Sequence, residues 1–160
     1  MTPPAGSIGL AGENGEVMIR FQGDVRLSLC TTLDDLIERL FADSQPTHLV
    51  LDLGPATNVD STCLGLIAKL GIESERRLNR QPRLYCTNAD VQSQLDSLGL
   101  MPLFEPCAAA PDAIDVPVSL SPCAPVDAQP VVLEAHRILM DLQPSNQGRF
   151  QDLVRALDRD

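Results

Sequence analysis

Residues 48–53 (HLVLDL) constrain this chain more than any other segment. The run is too short and too apolar for a surface helix, and it reads as a strand buried on both faces. Such a strand needs neighbours to satisfy its backbone and helices to cover it, so the flanking sequence must supply both.

Upstream, residues 16–22 (EVMIRFQ) alternate apolar Val17, Ile19 and Phe21 with Met18, Arg20 and Gln22, the period of a strand with one buried face. A weaker strand is expected over residues 7–10, with a turn at 12–15. Leu33, Leu36, Ile37, Leu40 and Phe41 then recur at helical spacing. Thr31 or Thr32 is placed to cap that helix, Asp34 and Asp35 to lie in its first turn, and Pro46 to end the pattern.

After Gly54-Pro55 a second helix is expected from near Ser61, with Leu64, Ile67, Ala68, Gly71 and Ile72 on one face. Residues 83–86 (RLYC) read as a short strand. Thr87-Asn88 opens a third helix carrying Val91, Leu95 and Leu98, and Gly99 stands where a left-handed cap is wanted. Phe104 starts a final edge strand before Pro106. The order β-β-α-β-α-β-α, with that last strand, predicts an α/β domain: a mixed sheet with packed helices and right-handed crossovers.

The character changes beyond this point. Seven of the chain's 13 prolines fall between Pro102 and Pro130, so residues 108–129 read as an extended or irregular linker between a domain over 1–107 and an extension over 130–160. In the extension, Val132, Ala135, Leu139 and Leu142 form one helical stripe. Phe150, Leu153, Val154 and Leu157 form a second after Pro144, with Ser145 or Asn146 as its cap. Two short amphipathic helices in a hairpin cannot bury their apolar faces alone. The hairpin is expected to be dispensable for the core fold and to bear on partner choice; the alternative is that its stripes cover an exposed apolar face of the domain.

The formal net charge of −10 would repel a phosphate backbone, which argues against nucleic-acid binding. No apolar stretch approaches the roughly 20 residues of a membrane span, and residues 1–15 lack the basic start and apolar run of a signal peptide. Five scattered cysteines without C-x-x-C spacing read as reduced thiols, and the expected location is cytoplasmic.

The stretch LVLDLGPATNVDSTCLGLIAKLG carries the strongest functional signal. It resembles the signature of STAS-domain anti-sigma factor antagonists: a buried strand ending in Asp, a short loop, then Asp-Ser-(Ser/Thr)-Gly-Leu-Gly at a helix start. Asp52 ends the strand here, Asp60, Ser61, Thr62, Leu64 and Gly65 match the motif, and FQGDVRL resembles the family's Gly-Asp turn around Asp24. The element order resembles the family over roughly residues 7–106.

Cys63 stands where the family usually has Gly, placing a side chain beside the acceptor position with a bearing on kinase access. The resemblance implies a phosphorylation-regulated, non-enzymatic switch. The unphosphorylated form binds an anti-sigma factor or kinase-type regulator, phosphorylation of Ser61 releases it, and a metal-dependent Ser/Thr phosphatase restores it. Thr62 is the fallback acceptor. Asp24, Asp60, Ser61, Thr62, Cys63 and Leu64 are the expected partner contacts. Metals and ATP belong to the partner enzymes, and no cofactor is expected on this chain.

Elementary physics is compatible with that role. A hydroxyl at a helix N-terminus faces unpaired backbone N–H groups and the positive end of the helix dipole. A phosphate there adds about −1.5 to −2 charge beside Asp60 and changes a docking surface without dismantling the fold. From spacing alone Ser61 reads as a plain helix cap, the reading the resemblance reverses, and Asp60 competes for that role. A STAS-like ligand-binding or scaffold module without a phosphorylation cycle is the alternative reading.

Other residues carry less. His48 and His136 have no nearby metal-ligand pattern and read as core or surface residues. No G-x-S-x-G elbow surrounds Ser61. Arg76, Arg77, Arg80 and Arg83 read as a solvated helix end, or alternatively as a contact for an acidic partner.

Overall fold

Strand β1 (Ser7–Glu13) turns at Asn14 and Gly15 into β2 (Glu16–Val25). Both turn residues have positive φ, 53° and 84°, the backbone that an Asn-Gly pair adopts in a tight hairpin. The hairpin therefore runs three residues further than the weak strand expected over 7–10. The computed structural model describes residues 6–111, 118–120 and 127–158.

The remaining elements are α1 (Cys30–Arg39), β3 (His48–Asp52), β4 (Ala56–Val59), α2 (Ser61–Leu78), β5 (Arg83–Tyr85) and α3 (Ala89–Ser97). They are followed by β6 (Glu105–Pro106), β7 (Val118–Leu120), α4 (Gln129–Leu142) and α5 (Ser145–Leu157). The sheet order is β6-β5-β3-β2-β1-β7, with β4 pairing to β2. Strands β2, β3, β5 and β6 run parallel, while β1 and β7 add antiparallel partners, so the sheet is mixed as expected.

Side chains alternate across β2. Ile19 and Phe21 join the main core with Leu49, Leu51 and Leu84, whereas Met18 packs with Ala11 and Val50 on the other face. All five residues of β3 are buried. The main core also takes Leu33, Ile37, Leu66, Ile67, Leu70, Val91 and Leu95 from the helices.

Several local expectations change. A 3₁₀ turn (Leu27–Leu29) leads straight into α1, whose first residue Cys30 is buried with Leu29. The helix thus begins before Thr31, has no side-chain cap, and leaves Asp34 and Asp35 beyond its first turn. Asp34 pairs with Lys69 and Asp35 with Arg39 instead. At α5 neither expected cap bonds the helix start. Asn146 is fully buried, donating from Nδ2 to the carbonyls of Leu98 (2.8 Å) and Leu139 (2.7 Å). The expected linker 108–129 contains β7, paired to β1, while residues 112–117 and 121–126, with Cys123, lie outside the described part.

Asn88 caps α3 by accepting from the amides of Asp90 and Val91. Gly99 takes φ 82°, and Leu100, fully buried, closes the last turn by donating to Leu95 O. The C-terminal hairpin is docked: Ala135 and Leu139 are fully buried members of the same core as the sheet, and α4 lies on α2. Burial of those residues runs against the expectation that the hairpin is dispensable for the core.

Candidate functional site

The Asp60–Ser61 junction is positioned by two strands, β2 and β4. Gly23 donates to Pro55 O (2.9 Å), and β2 shifts register between Gly23 and Asp24 as it pairs with β4. Asp24 then accepts from Asn58 Nδ2 (3.0 Å) and pairs with Arg26 (2.5 Å), and Asp60 N donates to Val25 O (3.0 Å). The Gly-Asp turn and the motif loop, 36 positions apart in Asp24 and Asp60, are thereby pinned together.

Asp60 is the N-cap of α2: its backbone is extended, and its Oδ1 accepts from Cys63 N at 2.9 Å. Ser61 is the first helical residue and is half-buried. Thr62, Cys63 and Leu64 are buried at 5%, 0% and 1% exposure, so of the six expected contact residues only Asp24, Asp60 and Ser61 reach the surface. The Cys63 thiol donates to Arg26 O (3.4 Å), and burial, reinforced by the Asp60 charge, pushes its pKa far above the ordinary thiol range. It is a protonated packing group, not a nucleophile. Exposed Leu27 and Arg26 flank the junction on the β2 side.

Sequence reasoning missed His136. Its ring is 1% exposed, and its Nε2 lies 2.8 Å from Ser61 Oγ. Nδ1 lies 2.7 Å from Val132 O, which can only accept, so whenever the ring is neutral its proton sits on Nδ1. Nε2 is then the acceptor and the Ser61 hydroxyl donates to it. Phe150 of α5 packs edge-on against the ring at 5.1 Å.

Two further contacts seat α4 beside this bond. Gly65 meets the Ala135 backbone, where a Cβ at position 65 would collide with the carbonyl. Lys69 of α2 bonds Asp34 (2.9 Å) and Glu38 (2.9 Å) of α1 and Glu134 (2.6 Å) of α4. Burial disfavours the Lys69 charge, but the hydrogen bonds it donates to Glu134, Glu38 and Asp34 outweigh this and hold the ammonium above the ordinary lysine range.

The basic cluster divides. Arg76 and Arg77 pair with Glu73, and Arg77 also covers the Phe41 ring at 5.7 Å. Arg80 and Arg83 line an open cleft of about 600 Å³ with Glu16 and His48, at the starts of the parallel strands and away from Ser61. His48 is buried, and its Nε2 has no partner among the described residues.

Burial, with help from Arg80, lowers the His48 pKa below its ordinary value of 6.5, and Glu16 opposes this weakly from 3.9 Å. Above about pH 6.5 the folded and unfolded forms are both neutral, and His48 contributes nothing to the pH dependence. Below it the unfolded chain takes up a proton first, so stability falls until the folded pKa is reached. The melting temperature is expected to drop as the pH falls from about 6.5 to about 5.5, and to drop less in His48→Gln. Equal slopes for the two proteins would remove His48 as the source.

Among the described residues no group of three or more His, Cys, Asp and Glu is arranged to hold a metal ion, and no helix is long and apolar enough to cross a membrane. A family profile described as STAS domain matches residues 8–113. The fold is similar to the crystal structure of an anti-sigma factor antagonist from Mycobacterium paratuberculosis. The TM-score is 0.57 and the identity 17%, over 66% of this chain and 87% of that one. No curated protein matches the chain.

Proposed function

The chain belongs to the STAS-domain family, and from that premise we propose that it is an anti-sigma factor antagonist switched at Ser61. The observation that carries this reading is the Asp60–Ser61 junction. A half-buried hydroxyl opens a helix whose cap is supplied by the preceding carboxylate, beside the exposed Arg26 and Leu27. Asp60 already satisfies the Cys63 amide, so Ser61 is not needed as the cap.

In this reading the unphosphorylated chain binds an anti-sigma factor or kinase-type regulator. That kinase transfers the terminal phosphoryl group of its nucleoside triphosphate to Ser61 Oγ. The Oγ–P bond forms as the P–O bond to the departing diphosphate breaks, and the hydroxyl proton goes to the kinase's base. A Ser/Thr phosphatase reverses the modification by hydrolysis. The chain itself contributes no catalysis and works in the cytoplasm. The buried Thr62 is the poorer acceptor.

The test is affinity capture with the full chain in three forms, unmodified, Ser61→Ala and phosphoserine at position 61, with the captured proteins identified. The first two are expected to hold the same regulator. The phosphorylated form is expected to lose it tenfold or more, roughly the effect of 1.4 kcal/mol from burying a new charge at an interface. Equal capture by all three, or phosphopeptide mapping that places the group only elsewhere, would sink the reading.

One observation favours a second reading. The Ser61 hydroxyl is already engaged by a buried histidine, as in a module that assembles or binds a ligand without a phosphorylation cycle. Native mass spectrometry showing a retained small molecule, with no phosphate on Ser61, would favour it.

A further inference from the structure

Strand pairing does not hold α4. Among the described residues no sheet hydrogen bond involves it. Besides the core burial of Ala135 and Leu139, a short row of contacts seats it on α2: Ser61 with His136, Gly65 with Ala135, and Lys69 with Glu134. The first of these contacts uses the atom that the proposed function modifies.

We infer that the Ser61–His136 bond is a latch: a phosphate on Ser61 unseats the α4–α5 hairpin from α2, and the seated hairpin in turn withholds Ser61 from modification. This rests on the reading of Ser61 as a phosphoacceptor. It adds that the modification is transmitted into the C-terminal helices as well as read directly by a partner.

The argument is steric and electrostatic. The 2.8 Å between Oγ and Nε2 holds one shared hydrogen and no phosphoryl group. If the phosphate points at the ring, His136 has to leave. If the side chain rotates to point it elsewhere, the hydroxyl hydrogen is gone and Nε2, the sole acceptor of a ring 1% exposed, is left buried without a donor.

Small adjustments are closed off. Nδ1 is committed to Val132 O, Phe150 packs on the ring, and α4 cannot slide closer because the Ala135 backbone already fills the space above Gly65. Closely packed elements of this kind switch between arrangements and do not deform gradually. Linkage makes the effect reciprocal at equilibrium: the free energy that holds the hairpin down disfavours the phosphorylated form to the same degree.

The test is made on the purified full chain, with phosphoserine incorporated at position 61 during translation and backbone hydrogen exchange read across the molecule. Relative to the unmodified protein, exchange in α4 and α5 is expected to rise tenfold or more while β2 and β3 stay protected. Ser61→Ala, which loses the donor but adds no bulk, is expected to raise it by less. Glu134→Lys, which sets two cations against each other at Lys69, is expected to open the same region without phosphate. Protection of α4 that is unchanged or increased by the phosphate, as when a protonated His136 clasps it, would overturn the latch, and so would loss of protection throughout the sheet. Because no partner takes part, the latch fails or stands separately from the capture experiment.

Discussion

Gly65→Ala is expected to lift α4 off α2 while the sheet stays folded. By helix propensity alone the change favours the protein, because glycine inside a helix costs about 1 kcal/mol relative to alanine. Packing reverses the sign. An added Cβ at position 65 lies 2.7 Å from the Ala135 carbonyl carbon and 2.8 Å from the Ala135 Cβ, and collides with the carbonyl oxygen itself. Most of these are backbone or backbone-fixed atoms with no rotamer to yield. Overpacking of that kind costs about 1–3 kcal/mol, and displacement of α4 additionally uncovers Ala135 and Leu139, both fully buried.

A net loss of about 1–3 kcal/mol in denaturant unfolding is expected, with the increase in hydrogen exchange concentrated in the hairpin. Gly148→Ala is the matched control. A Cβ there meets nothing within 4 Å, so it is expected to gain up to about 1 kcal/mol from propensity. If both substitutions stabilise, the close approach of α4 to α2 is wrong.

The contrast between these two glycines shows what the sequence could and could not reveal. Periodicity identified β2 and the bodies of all five helices, because each buries one face and repeats at its own period, and an unbroken apolar run identified β3, which is buried on both faces. It also placed the start of α2 at Ser61, where the Asp60 cap has a local signature. Contacts between distant segments leave no such trace. His136 falls four residues after Val132, on the flank of an apolar stripe, and its partner is 75 positions away. Asn146 looked like a cap because caps are what asparagines near helix starts usually do. It instead satisfies the end carbonyls of two other helices, which only tertiary structure brings within reach. The strand β4 has two exposed residues among its four and pairs to β2 across a register shift, so no alternation announces it.

Asp52 offers the second large effect, and it links the fold to the site. Arg20 and Asp52 are register partners on β2 and β3, joined from Arg20 Nε to Asp52 Oδ2 at 2.8 Å, with side chains 22% and 7% exposed. The other carboxylate oxygen accepts from Gly54 N at 2.9 Å. Asp52→Ala therefore strands a half-buried guanidinium and an amide in one step, and is expected to cost about 2–4 kcal/mol. Asp52→Asn keeps an acceptor for Gly54 N but loses the charge opposite Arg20, and is expected to cost about half as much.

The consequence reaches Ser61 through the chain. Gly54 and Pro55 lead into β4, whose pairing to β2 and the bond from Asp60 N to Val25 O place the start of α2. A slackened β3–β4 turn should therefore loosen the Asp60 cap before the helix body. Urea midpoints in the order wild type, Asp52→Asn, Asp52→Ala, with faster exchange of the Cys63 and Leu64 amides in both variants, are the expected outcome. An Asp52→Ala protein as stable as wild type would mean that the turn is held by the backbone bonds of Gly23 to Pro55 and of Leu53 to Tyr85, with the carboxylate a bystander.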